Sequence, residues 1–378
     1  MDKEEKMLSD YENKLNDLYA RANTKSKKKR ILYDLFNFSA ICREHFGIEK
    51  VFDWEQDEEL IKLLDDFVTP FIDNVLDKRN SFFDISKSVI DTFIDVKYPF
   101  YEDYHKLLYS ISPLELQEIM FDFLNSYDPK LQCFYKKMLE DCEIFEAYLY
   151  ASTGYSGLHY PMDGLKKNFI FCETFSNSIF TTSLLIHEIG HAYESDLMYQ
   201  CGINGYGTIK EKLPYTEVSS KFFEYAFLNY LKENRIYVND TRVCLLKYYK
   251  TLLQHMYHMN LICKTKYLDI NKYGYVEIND VELVEYANRL KDELNYFNLS
   301  SEIGEEMHFK NSFVYGIGGL FSIYLYDRYQ EDSNGFKKDF RNMLINYPYN
   351  ENVFFEVMGI TEEELVEGNV LKKVLNNI

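Results

Sequence analysis

A glutamate between two histidines forms the pattern H-E-x-x-H at residues 187–191. On a helix, residues four apart lie one turn apart on the same face, so His187 and His191 can direct ring nitrogens at one Zn²⁺ ion. Glu188 lies one step round the helix, where its carboxylate can take a proton from an attacking water molecule. The pattern therefore predicts a zinc site that performs hydrolysis, with Glu188 as the general base.

A third zinc ligand is available in the next predicted helix. A turn-rich segment ends at Pro214, and Thr216 is a candidate N-cap that places Glu217 in the first helical turn. Two helices joined by such a loop can pack antiparallel and bring the carboxylate of Glu217 to the histidines. Three protein ligands with an open fourth position are typical of catalytic zinc, so we predict one zinc per chain. Glu224, two turns farther on, either orients a zinc-binding histidine or is a surface glutamate.

Four segments, taken in order along the chain, resemble a known family of enzymes. They are NFIFCET at 168–174, HEIGHAYES at 187–195, TEVSSKFFE at 216–224 and HFKNSFVY at 308–315. Together they resemble the oligoendopeptidase F and thimet oligopeptidase family of zinc metallopeptidases. No single segment is specific, but their combination and order are.

The resemblance implies a fold and a reaction. The fold is mainly α-helical, a zincin-type helical protein with a small β-sheet beside the active-site helix. The reaction is hydrolysis of internal peptide bonds by metal-activated water, without a covalent intermediate. In this reaction Glu188 is the base, and the zinc ligands are His187, His191 and Glu217.

The resemblance also implies roles for residues outside the zinc motif. His308 and Tyr315 would donate hydrogen bonds to the substrate and to the oxyanion that forms on it. Tyr324 and Tyr326 are fallback candidates for the role of Tyr315, although their helical spacing favours packing. The segment at 168–174 would lie beside the bound substrate.

One departure from the family leaves two other functions open. Glu194 stands where the family often has another histidine, and HAYE at 191–194 also resembles the zinc helix of a related carboxypeptidase family. The first alternative is therefore a zinc carboxypeptidase on a related helical scaffold. The second is a non-catalytic, zinc-stabilised peptide-binding protein, against which Glu188 argues because a structural zinc site needs no base.

Three further histidines have weaker interpretations. His159 lies in an aromatic segment near the predicted substrate strand, where it could contact substrate. His255 and His258 are three residues apart on a helical run, so they could share a metal ion. Packing is the favoured interpretation for this pair.

Apolar residues at spacings of three and four predict the helices that position the motif. Such faces occur at 8–19, 60–67 and 114–123. Pro70 and Pro99 are expected to end or kink helices. For the motif helix, Thr181 or Thr182 is the predicted N-cap and Gly202 the predicted stop.

The composition of the sequence changes near residue 151. Glycines and a proline predict a loop at 151–163, and a short aromatic strand follows it. We place a boundary here between a helical N-terminal lobe, 1–150, and a zinc-binding catalytic lobe, 151–378. The two lobes can also form one continuous domain.

The charge balance excludes two classes of partner. The 378 residues include 42 Lys+Arg and 61 Asp+Glu, a net charge of −19, which repels nucleic acids and anionic membranes. The longest uncharged run, 311–326, is short of the roughly 20 apolar residues that cross a membrane.

Seven cysteines without a CxxC pair, and an N-terminus without an apolar segment, predict a reduced, cytoplasmic protein. Peptides are the predicted substrates, and the oligomeric state is not predicted.

Overall fold

The computed structural model describes residues 3–46, 58–96, 111–141, 143–146, 157–172, 178–203, 209, 212–266, 268–271, 274–276, 280–294 and 307–377. Within these ranges the chain is mainly α-helical with two small β-sheets, which confirms the predicted fold class. The helices are α1 (Lys3–Arg21), α2 (Lys25–Phe46), α3 (Glu58–Asp77), α4 (Arg79–Val96), α5 (Pro113–Tyr127), α6 (Pro129–Glu140), α7 (Ile179–Gln200), α8 (Val218–Glu233), α9 (Val238–Lys264), α10 (Val281–Leu294), α11 (Phe309–Glu331), α12 (Ser333–Asn346), α13 (Val353–Met358), α14 (Glu362–Glu367) and α15 (Asn369–Leu375). The strands are β1 (Ile144–Glu146), β2 (Gly157–Met162), β3 (Lys167–Cys172), β4 (Tyr275–Val276) and β5 (Met307–His308). None of the described helices combines the length and apolar character needed to cross a membrane.

Five helices pack together at the centre of the fold. Helix α8 packs against α7 and α11, and α9 packs against α4 and α11. The approach of α7 to α8 depends on Gly190, because a Cβ atom there would lie 2.8 Å from the Cα of Ser220. No larger residue fits this contact without moving a backbone, so Gly190 sets how closely the two motif-bearing helices approach.

A three-stranded sheet lies against α7. Strand β3 is its middle strand, parallel to β1 and antiparallel to β2, so β2 is an edge strand among the described residues. Pro161 lies in β2, and an edge strand is where a residue without an N–H group is tolerated. The structure therefore places a strand, 157–162, in the segment that the sequence predicts as a loop. Pairing with the whole length of β3 outweighs the local turn signals, and 151–156 lie outside the described residues.

The helices predicted at 8–19, 60–67 and 114–123 are confirmed as parts of α1, α3 and α5. Pro70 does not end a helix, because α3 continues through Pro70 to Asp77. An internal proline costs about 3 kcal/mol. Phe71 and Val75 are buried immediately after it, and each such burial contributes about 1.5–3 kcal/mol, enough to offset that cost. Pro99 lies outside the described residues.

The N-terminal end of α7 differs slightly from the prediction, and the C-terminal end agrees with it. Its N-cap is Ser178, whose hydroxyl accepts a hydrogen bond from the backbone N–H of Thr181, so Thr181 and Thr182 lie inside the first turn. At the other end, Gly202 has a φ of +71°, the left-handed conformation that commonly follows a helix. The predicted stop is therefore confirmed.

The core consists of two clusters of buried side chains. The smaller joins α1 and α2 to β2, β3 and the turn between them, and the larger joins helices from α3 onward to β3 and the central helices. Both clusters draw residues from each side of residue 150. The division into lobes at that point stays a prediction.

Candidate metal centre

Helices α7 and α8 bring the three predicted ligands together. His187 and His191 lie one turn apart on α7. Glu217 occupies the N-cap position of α8, so the prediction of Thr216 as the N-cap is wrong by one residue. The Oε2 atom of Glu217 is 3.1 Å from the Nε2 atom of each histidine, and the three ligand atoms lie within 4.8 Å of one another. All three side chains are buried. Two imidazoles and a carboxylate converging in this way are a donor set that fits zinc.

The carboxylates around His187 decide its charge in the metal-free protein. Burial lowers its pKa, but hydrogen bonds to Glu217 and Glu224 outweigh burial and raise the pKa to about 9. Burial likewise raises the pKa of Glu217, yet the charge on His191 and the hydrogen bonds from both histidines hold it well below its usual range. The two carboxylates therefore favour the protonated form of His187.

Metal binding should release this proton. A zinc-binding histidine must be neutral, so loading at pH 7.5 should displace about one proton from His187, and affinity should fall as the pH drops below about 9. The contacts that raise the pKa of His187 also stabilise the metal-free fold. This stabilisation is fully present at pH values below 6.5, the pKa of an unfolded histidine, and is lost as the pH rises through about 9. Calorimetric zinc titration in two buffers of different ionisation enthalpy measures the release. Buffer-independent heat at pH 7.5 would contradict the assignment.

Two residues of α8, Ser220 and Glu224, orient the candidate metal ligands. The Ser220 hydroxyl donates a hydrogen bond of 2.8 Å to Oε2 of Glu217, and Nδ1 of His187 lies 3.1 Å from Oε2 of Glu224. Glu224 is buried, so of its two interpretations the structure supports the orienting residue and not the surface glutamate. Burial raises the pKa of Glu224, but the charge on Lys221 and the hydrogen bond from His187 outweigh it and lower the pKa to about 2.

Glu194, the departure from the family pattern, connects three parts of the fold. Its buried carboxylate accepts hydrogen bonds from the hydroxyl of Ser219 in α8 and from the hydroxyl of Tyr347, the latter at 2.6 Å. The adjacent residues Ser219 and Ser220 thus donate hydrogen bonds to two different buried carboxylates, those of Glu194 and Glu217. Glu194 holds α7 against α8 and against the end of α12.

Strand β2 faces the metal centre. A Cβ atom on Gly157 would lie 2.6 Å from Oε1 of Glu188, so the predicted base lies directly against the backbone of this strand. Two residues on, and on the same face, the ring of His159 stacks on that of His191 with centroids 5.8 Å apart. Its Nε2 atom is 2.9 Å from Oδ1 of Asn168 in β3. His159 therefore contacts a metal ligand, a role that the sequence pattern does not indicate.

Tyr315 lies beside the metal ligands, as the family resemblance implies. Its ring is parallel within about 25° to the rings of His187 and His255, with centroids 6.4 Å and 5.4 Å away. The fallback candidates have other partners: the hydroxyl of Tyr326 donates to Glu233 at 2.9 Å, and that of Tyr324 to the carbonyl of Leu365 at 3.4 Å. Of the three tyrosines, the structure brings Tyr315 to the site.

His308 caps the start of the helix that carries Tyr315. Its Nδ1 atom accepts a hydrogen bond of 3.3 Å from the backbone N–H of Asn311, and its ring packs against Tyr275 of β4. Burial, aided by the charge on Lys310, lowers the pKa of His308, so the ring is neutral at pH 7. Because Nδ1 accepts, the proton of the neutral ring resides on Nε2, which leaves a donor beside Gly274.

The pair His255 and His258 does not form a metal site with other described residues. Among those residues, His187, His191 and Glu217 form the group of three ligands close enough for one ion. Nδ1 of His255 and Nε2 of His258 are buried without a described hydrogen-bond partner. Burial lowers their pKa values to about 3 and about 4, so both rings are neutral. The contact of His255 with Tyr315 is a feature that sequence spacing alone does not predict.

Gly318 of α11 fixes the position of Glu217 by close contact. A Cβ atom there would lie 2.8 Å from Cβ and 2.9 Å from the carbonyl carbon of Glu217. We expect Gly318→Ala to shift the ligand and to weaken zinc binding, with an overpacking cost of about 1–3 kcal/mol in the free energy of unfolding. Gly316→Ala is the matched control, because its Cβ would meet nothing closer than 3.6 Å. Equal zinc affinities for the two variants, measured by competition with a chromophoric chelator, would contradict the prediction.

Comparisons with known proteins agree with the fold. No protein-family model matches the sequence, and no curated protein matches it either. A solved structure from Bacillus anthracis str. Ames, assigned as an oligoendopeptidase F, is similar with a TM-score of 0.50 and 12% identity, over 97% of this chain and 70% of that chain. A structure of PZ peptidase A with an inhibitor has a TM-score of 0.48 and 12% identity, over 97% of this chain and 71% of that chain. At such identities the likeness is one of fold.

Proposed function

We propose that this chain, which has the fold of oligoendopeptidase F, is a zinc-dependent peptidase that cleaves internal bonds of peptides. One observation carries the proposal. His187, His191 and Glu217 converge in a buried group, and the adjacent Glu188 faces an edge strand. A structural metal site requires neither a neighbouring carboxylate nor an accessible strand edge.

The proposed metal ligands and Glu188 have different roles in the reaction. His187, His191 and Glu217 would hold the zinc ion, which would supply a Lewis acid and lower the pKa of a water molecule towards about 7. Glu188 takes the proton of the attacking water and passes it to the leaving amine. The contact of its carboxylate with Gly157 supports this role, because it places the base where β2 meets the metal ligands.

Strand β2 offers an edge to an extended peptide. Strand β3 is paired with β2 along its whole length and with β1 at 170–172, which leaves the outer strands as the candidates for pairing with substrate. Strands β1 and β2 are the outer strands of this sheet among the described residues, and β2 is the one that lies against Glu188. An extended peptide can add to an outer strand through main-chain hydrogen bonds. This arrangement supports peptides as substrates, and the net charge of −19 disfavours nucleic acid.

Two donors complete the proposed site. Peptide hydrolysis develops negative charge on the carbonyl oxygen, and the Tyr315 hydroxyl is proposed to stabilise it. The ring of Tyr315 lies next to that of His187, which supports this placement. His308 is proposed to donate from Nε2 to the substrate backbone.

Tyr315→Phe should lower kcat while leaving zinc content and folding unchanged. The change deletes one hydroxyl, and loss of one oxyanion donor typically costs about 2.7–4 kcal/mol in the transition state, or roughly 10²–10³-fold in kcat. Tyr324→Phe and Tyr326→Phe are the matched controls, because their hydroxyls donate elsewhere. A larger loss of kcat in either control than in Tyr315→Phe would show that another tyrosine has this role.

Digestion of a mixed peptide library, read by mass spectrometry, tests the proposed function. We expect internal fragments from the zinc-loaded protein and intact peptides after treatment with a chelator. Release of single residues from C-termini would instead identify a carboxypeptidase. Intact peptides in both samples, with zinc bound in the sample without chelator, would favour a non-catalytic binding protein.

A further inference from the structure

Lys221 places a positive charge in the interior beside the metal ligands. It lies in α8 between Glu217 and Glu224, and spacings of four and three residues put all three on one face of the helix. Only 12% of its side chain is exposed. A lysine this buried requires charged or aromatic partners, because an unpaired buried charge is very costly.

Its first partner is the carboxylate that orients His187. Nζ of Lys221 donates to Oε2 of Glu224 at 2.8 Å, and the same oxygen lies 3.1 Å from Nδ1 of His187. Nε2 of His187 faces Glu217 on its other side. Lys221, Glu224 and His187 therefore form a line that ends at the metal position.

Its other partners are two aromatic rings from two more helices. Nζ of Lys221 lies 5.5 Å from the centroid of the Tyr315 ring in α11 and 5.2 Å from that of Tyr248 in α9. These distances are within the range of cation–π attraction. The ring of Tyr315 also lies beside that of His187. One ammonium group thus contacts both the carboxylate behind a metal ligand and the ring of the proposed oxyanion donor.

We propose that Lys221 is a positioning residue that holds Glu224 against His187 and holds the ring of Tyr315 beside the metal centre. The part of this role that concerns Tyr315 rests on the proposed function, whereas the part that concerns His187 requires only that the site binds zinc. Lys221 neutralises the buried Glu224, so that the carboxylate keeps its hydrogen bond to His187. It also fixes the distance between α8 and α11 through the Tyr315 ring.

The test compares Lys221→Met, which keeps most of the length but not the charge, with Lys221→Arg, which keeps the charge. Lys232→Met is the matched control, an exposed lysine in the same helix. The first readout is zinc affinity, measured by chelator competition, together with the visible spectrum of the cobalt-loaded proteins. Neither measurement depends on catalysis.

We expect Lys221→Met to bind zinc about 10–100-fold more weakly, the typical cost of losing a residue that supports a ligand, and to show an altered cobalt spectrum. Lys221→Arg should recover most of the affinity, and Lys232→Met should match wild type. Wild-type affinity and spectrum in Lys221→Met would overturn the proposal, as would an affinity for Lys221→Arg as low as that of Lys221→Met. If Lys221→Met does not fold, as judged by circular dichroism, Lys221→Gln replaces it with the same expectations.

The second readout is peptidase kinetics in wild-type and Tyr315→Phe backgrounds. If Lys221 acts through Tyr315, Lys221→Met should lower kcat more than it changes KM, and the loss should shrink in the Tyr315→Phe background. If the loss of kcat in the double variant equals the product of the losses in the two single variants, the link to Tyr315 is overturned. If the wild-type protein has no peptidase activity, the proposed function fails, while the zinc-affinity comparison still decides the role of Lys221 at His187.

Discussion

Glu188→Gln should abolish nearly all peptidase activity without removing the metal. Glutamine keeps the size of the side chain and a good helix propensity in α7, but its amide cannot accept the proton of the attacking water. We expect kcat to fall by roughly 10²–10⁴-fold, the usual contribution of a general base. Zinc content should stay at about one per chain, because Glu188 is not among the three converging ligands.

The control for this variant is Glu331→Gln, which changes an exposed glutamate at the end of α11. It should have wild-type kcat. Rates are measured with one cleavable peptide, and zinc is measured on the same samples by atomic absorption. If Glu188→Gln retained a near-normal rate with zinc bound, Glu188 would not be the base.

Glu217→Ala should remove most of the zinc. The carboxylate contacts both histidines at 3.1 Å, so its loss leaves two ligands where a catalytic site needs three. We expect affinity to fall by more than the roughly 10–100-fold that loss of a supporting residue costs. Activity should disappear with the metal, and thermal melts of the metal-free proteins should show that the variant still folds.

Glu224→Ala is the matched comparison for Glu217→Ala. Its carboxylate contacts the other nitrogen of His187, so it orients a ligand and is not one itself. We therefore expect this variant to lose less zinc than Glu217→Ala. Wild-type zinc content in Glu217→Ala, with loss in Glu224→Ala, would mean that Glu224 is the third ligand.

The sequence predicts the convergence of the three candidate ligands because much of the geometry is local. His187 and His191 are one turn apart on any helix, and the apolar faces of the neighbouring helices are visible in the spacing of residues. Glu217 required one further step, the antiparallel packing of two successive helices. The close contact at Gly190 is what brings these helices near enough.

Features that depend on contacts between distant segments could not be predicted. Strand β2 forms because β3 pairs along its whole length, although its own residues indicate a loop. The burial of Lys221 results from rings in α9 and α11, which no spacing within α8 reveals. The N-cap is a local feature that was also missed: Ser178 precedes the two candidates, Thr181 and Thr182, by three and four residues, and several hydroxyl residues lie close together there.

The most direct test of the account is the rate of peptide cleavage as zinc is added back to the metal-free protein. We predict no cleavage without zinc and a linear rise that stops at one zinc per chain, the stoichiometry of a single three-ligand site. Glu188→Gln should bind the same single equivalent and stay inactive throughout the titration. Cleavage that persists in the metal-free protein, or that returns fully in Glu188→Gln, would contradict the account.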